Sequence, residues 1–102
     1  MTQTAPDQAP QLDSRRKRIL FRANHRGTHE TDLLVGGFVT ARITSLTDAE
    51  LDQIEEIMEL PDPDLADWLS GRREIPAYAE SPMLRAMLEA ALAEAARMAA
   101  SR

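Results

Sequence analysis

Cysteine is absent from the sequence, and aromatic residues make up only 4% of its 102 positions. Without Cys there are no disulfides, no thiol nucleophile and no Cys-ligated zinc, which suits a reducing compartment. With two Phe, one Trp and one Tyr, Leu, Ile, Met and Ala must fill the interior. No apolar run approaches the roughly 20 residues that span a bilayer. No secretory segment follows Met1, because Thr2 to Gln11 is polar and contains Pro. No Gly-x-Ser-x-Gly elbow and no Gly-rich phosphate loop appears. These absences lead to the expectation of a small cytoplasmic protein that is not an enzyme and carries no cofactor of its own.

Charge is present but segregated. The formal net charge is -5. Arg15, Arg16, Lys17, Arg18, Arg22 and Arg26 fall within twelve residues that contain no acid. From Glu30 to Asp67 there are eleven acids and a single base, Arg42. Such a dipolar chain suits a partner of complementary potential. Its overall acidity disfavours nucleic acid, which needs many cations to neutralise phosphates.

The local patterns are helical. Residues 1–12, with Pro6 and Pro10, read as a disordered tail. Asp13 or Ser14 caps a first helix to about Asn24, with Ile19, Leu20, Phe21 and Ala23 as a narrow apolar face. Its cations suit a helix C-terminus better than a start. Thr28 caps a second helix, roughly 29–43, whose buried face is expected at Leu33, Leu34, Phe38 and Ala41 or Arg42. Gly36 and Gly37 interrupt it, each at a cost of about 1 kcal/mol relative to Ala. Close packing explains them first and a kink second. The β-branched Val35, Val39 and Ile43 leave a strand as the alternative, but nothing else resembles a pairing strand.

The third helix is the best specified. Thr47 and Glu50 form a capping box, and Leu46 and Leu51 a hydrophobic staple. Leu51, Ile54, Ile57 and Met58 make its apolar face, with Asp52, Glu55, Glu56 and Glu59 on a solvated one. Asp62 as N-cap and Pro63 at the first helical position start a fourth helix, with Leu65, Trp68 and Leu69 inward and Gly71 closing it. Ser81-Pro82 starts a last helix to about Ala99, with Met83, Leu84, Met87, Leu88, Ala91 and Leu92 as its stripe. The fold class expected is all-α, a five-helix bundle forming a single domain over 13–100.

Few residues carry chemistry. His25 and His29 are four apart, but Gly27 breaks the helix between them, so no metal site is expected. Arg26-Gly27-Thr28-His29-Glu30 lies at the break between the first two helices. Arg26 offers a rigid donor fork. Gly27 permits a positive φ and close approach of a partner. Glu30 either complements the helix N-terminus or binds. The residues alone support a small helical interaction module working at this corner or through the basic helix 15–26.

The same five residues match the Arg-Gly-x-x-Glu motif of the succinate dehydrogenase flavinylation factors. Asp32 follows the Glu by two, as in many bacterial members. Leu46-Thr47-Asp48-Ala49-Glu50-Leu51 resembles the family's Leu-[Ser/Thr]-Asp-x-Glu helix start. Pro61-Asp62-Pro63-Asp64-Leu65-Ala66-Asp67-Trp68-Leu69 resembles its Asp-Pro-Asp-Leu-x-x-Trp signature. The resemblance covers about residues 15–72 and, more loosely, the last helix. Gly36-Gly37 departs from the pattern, since relatives carry a bulkier residue at one of the two. The resemblance implies an assembly factor that binds the flavoprotein subunit of succinate dehydrogenase or fumarate reductase and promotes covalent attachment of FAD, a cofactor of the client. Arg26, Gly27 and Glu30 become the client-binding residues, with Asp32 a lesser one. Arg16 and Arg22 of the basic helix join them as candidate contacts. The protein is expected to act as a monomer, without nucleic acid and without membrane insertion.

Overall fold

The computed structural model describes residues 12–101. The tail expected over residues 1–12 lies outside that range except for Leu12, which packs at the edge of the core. Five helices follow, and no strand occurs among the described residues.

Helix α1 is Ser14–Ala23. Its start is better defined than its charges suggest, because the Asp13 carboxylate accepts from the Arg16 backbone N–H at 2.8 Å. Ile19 and Ala23 are buried, whereas Phe21 is exposed and stacks on His25 with ring centroids 4.0 Å apart. The narrow face is therefore narrower than the pattern implied.

Helix α2, residues 29–42, is one rod with an irregular middle. It begins as α-helix at His29–Thr31, passes through a π-helical turn at Asp32–Gly36 and resumes as α-helix at Gly37–Arg42. The expected buried face is partly wrong. Val35, Phe38, Val39 and Ile43 are buried, and Leu33 is 61% exposed. The buried positions Thr31, Val35, Phe38, Val39 and Ile43 stand at the i, i+4, i+7, i+8 and i+12 spacing of one continuous helical face. That face, rather than the one through Leu33, carries the β-branched residues inward. Gly36 provides close packing: a Cβ there would lie 2.4 Å from Asn24 Oδ1 and 3.0 Å from the Ala23 carbonyl. A Cβ at Gly37 would meet nothing within 4 Å.

Helix α3, Asp48–Met58, carries the expected capping box in both directions, with Thr47 N–H donating to Glu50 and Glu50 N–H to Thr47 Oγ1. Leu46 and Leu51 are both buried, as a staple requires. Leu51, Ile54, Ile57 and Met58 lie in the core, where each such side chain contributes about 1.5–3 kcal/mol by leaving water. Helix α4, Asp62–Leu69, starts one residue earlier than expected: Pro61 holds the cap position and makes no side-chain cap bond. Asp62 is thus inside the first turn, which leaves its carboxylate for other work. Gly71, at φ +84°, ends the element as expected. Trp68 is 1% exposed at the centre of the core.

Helix α5, Pro82–Ala100, is capped by Ser81, whose hydroxyl accepts from Leu84 N–H at 3.1 Å. Leu84 and Met87 are buried, Leu92 is 49% exposed, and every residue from Ala93 to Ala100 is exposed. The last turns therefore project as helix.

The segregated charges meet each other inside the molecule. Arg15 on α1 donates to Asp52 and Glu55 on α3, and Arg22 pairs with Glu59 at 2.7 Å. Arg16 turns inward to the carbonyls of Ile43 and Leu46. Much of the basic run is thereby engaged by this chain's own acids and carbonyls.

Candidate functional site

The corner between α1 and α2 is built by four helix ends. Asn24 closes α1: its side-chain amide donates to the Leu20 carbonyl at 2.9 Å and to Thr40 Oγ1 at 3.2 Å. His25 turns back, its Nδ1 lying 2.7 Å from the Phe21 carbonyl. Gly27 then takes φ +111°, a backbone conformation that L side chains rarely adopt. Thr28 caps α2, as its sequence position predicts, its hydroxyl accepting from the Thr31 N–H at 3.2 Å.

Arg26 faces the opposite way from the sequence expectation. Its side chain is 9% exposed, and its fork is filled from within. Nε donates to Asp62 Oδ1 at 2.8 Å and a terminal nitrogen reaches the same oxygen at 2.6 Å. The other bonds go to the Met58 and Leu60 carbonyls, both at 3.0 Å. Carbonyls at the end of a helix have no partner within it, so Arg26 supplies donors to the end of α3. Its own backbone N–H donates to Asp32 at 2.6 Å. Asp62 Oδ2 lies 3.4 Å from Thr31 Oγ1.

Glu30 stands in the first turn of α2 with 45% of its side chain exposed. It accepts from Arg72, which follows α4, at 3.2 Å and 3.4 Å. Arg72 is shared, since its Nε also donates to Asp67 at 3.0 Å. Arg73 and then Arg72 hold the Asp67 carboxyl below the ordinary carboxylate value. An exposed pair of this type contributes little to stability, so a competing donor displaces Arg72 from Glu30 at little cost.

Beyond Glu30 the surface turns apolar. Leu33, Leu34, Leu69, Ala91 and Leu92 line a cleft of about 260 Å³ that has Glu30 at its margin. A larger cleft of about 420 Å³, beside Trp68, Gly71, Arg73 and Arg85, shares no residue with the corner.

The expected contact residues therefore separate. Gly27 and Glu30 are exposed together at the corner. Arg22 is on the surface beside Glu59, its side chain 47% exposed. Asp32 is half-buried and bonded to the Arg26 backbone. Arg16 and Arg26, also expected as contacts, are turned inward: their donors are matched to carbonyls and carboxylates of this chain. His29 is exposed and His25 is packed on Phe21. Sequence reasoning missed the partnership of Arg26 with Asp62, the tie from Arg72 to Glu30, and the exposure of Leu33. The first two join residues 36 and 42 positions apart, a distance that no local pattern encodes. The third follows from the helical repeat through Thr31, Val35 and Phe38, which leaves Leu33 on the opposite side of α2.

Comparison with known proteins gives a consistent answer. Residues 17–91 match a family model described as "Flavinator of succinate dehydrogenase". Over 78 residues the chain is 55% identical to the FAD assembly factor SdhE of Acetobacter pasteurianus, covering 76% of this chain and 72% of that one. It is 33% identical over 75 residues to the mitochondrial succinate dehydrogenase assembly factor 2 of Dictyostelium discoideum. It is 37% identical over 78 residues to the protein of that name from Mycosarcoma maydis. The matched part is 53% of the Dictyostelium protein and 33% of the Mycosarcoma protein.

Proposed function

The chain belongs to the family of flavinators of succinate dehydrogenase, and we propose that it binds the flavoprotein subunit of succinate dehydrogenase or fumarate reductase and promotes the covalent attachment of FAD there. The observation that carries this reading to particular residues is the exposed pair of Gly27 and Glu30 inside the family motif. Gly27 presents backbone with no side chain in the way. Glu30, only loosely held by Arg72, accepts from a cation or N–H of the client. Leu33, one turn further along α2, and the cleft beside it extend the contact with apolar surface.

The flavin and a His of the client supply the bond-forming chemistry. This chain supplies orientation: it holds the client in the conformation in which the two groups meet. In this reading the protein is not an enzyme, takes no cofactor of its own, and works as a cytoplasmic monomer. No helix among the described residues is long and apolar enough to cross a membrane.

Capture of the flavoprotein subunit from lysate tests the reading. Tagged wild-type protein should retain the subunit, and Glu30→Ala should lose most of it while remaining folded. Equal capture by the two proteins would remove Glu30 from the contact. A second reading, action through the basic helix, retains support at Lys17, Arg18 and Arg22, which are exposed. Reversing the charges of Lys17 and Arg18 should leave capture unchanged.

A further inference from the structure

We infer that Asp62 is a positioning residue of the docking corner: acting through Arg26, it holds the Gly27 turn in the form that meets the client. The inference rests on the client-docking reading and adds residues that do not themselves touch the client.

Gly27 is not forced into its conformation by its own surroundings, since a Cβ there would meet nothing within 4 Å. Its neighbours hold it instead. On one side, Arg26 is anchored by its side chain to Asp62, Met58 and Leu60 and by its backbone to Asp32. On the other, Thr28 is fixed by capping α2. Asp62 is the only carboxylate on the Arg26 guanidinium among the described residues, and its own side chain is 18% exposed. A buried guanidinium left without its carboxylate is strongly unfavourable. Loss of Asp62 therefore drives Arg26 to swing out toward water, and the Gly27 turn keeps only the Asp32 and Thr28 ties of its two anchored sides. Lys cannot replace Arg26, because one ammonium does not span the carboxylate and two carbonyls that the planar fork serves. The arrangement also gives a physical reason for two separate sequence signatures to occur together. The Arg of the first and the first Asp of the second are partners in one buried pair.

The test combines hydrogen exchange with binding. Asp62→Asn, Arg26→Ala and the double variant are compared with wild type by circular dichroism, by amide exchange over residues 26–32, and by affinity for the purified flavoprotein subunit. Asp62→Asn should remain helical, exchange faster over 26–32, and bind about tenfold more weakly. Arg26→Ala should weaken binding by a similar factor, and the double variant by no more than the worse single one. Unchanged exchange in Asp62→Asn would overturn the proposal. So would a double variant whose loss is the product of the two single losses, since Arg26 would then be contacting the client directly. If Asp62→Asn unfolds, Arg26→Lys replaces it: the charge stays and the fork goes, so exchange over 26–32 should rise, and an unchanged rate again overturns the proposal. A wild-type protein that bound no flavoprotein subunit would sink the function reading, while the exchange arm would still decide the hold of Asp62 on the turn.

Discussion

Gly27 and Glu30 differ in how they would fail. At φ +111° any side chain is strained, at a cost on the order of 1–3 kcal/mol. Gly27→Ala should therefore lower stability by about that amount in urea denaturation, although its methyl group has open space around it. Glu30 lacks any such structural role, and its tie to Arg72 is an exposed one. Arg72→Ala should consequently leave the melting temperature almost unchanged while client affinity stays level or rises, because a competitor for Glu30 has gone. A fall in affinity would make Arg72 a contact in its own right. At this scale the motif from Arg26 to Glu30 was readable because it is contiguous. The inward turn of Arg26 was not, because its partner carboxylate lies 36 residues away and an Arg reads the same in either orientation.

Helix α2 shows how far an element can be read from a pattern. Its start at Thr28 and its approximate extent were legible from capping and spacing. Its buried face was not, because the bulk of Leu33 and Leu34 was given the inward side, whereas the helical repeat through Thr31, Val35, Phe38, Val39 and Ile43 is the one that is buried. The two adjacent glycines separate the causes. Gly36→Ala should destabilise by about 1–3 kcal/mol, since the new methyl collides with Asn24 and the Ala23 carbonyl. Gly37→Ala should stabilise by roughly 0.5–1 kcal/mol, because the site is exposed helix with free space. Paired denaturation curves check both signs. Helix α3 needed no such correction: its box, staple and apolar face are all local, and all are found where the sequence puts them.

Over the whole molecule, the basic α1 and acidic α3 neutralise each other across their interface. The hydrogen bond from Arg15 holds the Glu55 carboxyl below its ordinary value of 4.5. The Arg16 backbone N–H does the same for Asp13, whose ordinary value is 3.8. A carboxyl depressed in the folded state stabilises the fold above its unfolded pKa, and that contribution is lost as pH falls through the folded one. The melting temperature should thus be level from neutrality down to about pH 5 and fall below it. Arg15→Ala should fall less over the same acid range. The segregated charge was visible in the sequence, but its internal pairing depends on how α1 packs on α3. The five-helix architecture was legible because each helix carries its own start or stop signal. The central claim, that this corner serves covalent flavin attachment in a client, is tested most directly by incubating purified flavoprotein subunit with FAD and following flavin fluorescence that survives a denaturing gel. Wild-type protein should raise the covalent signal well above the subunit alone, and Glu30→Ala should not. An equal signal with and without the wild-type protein would contradict the account.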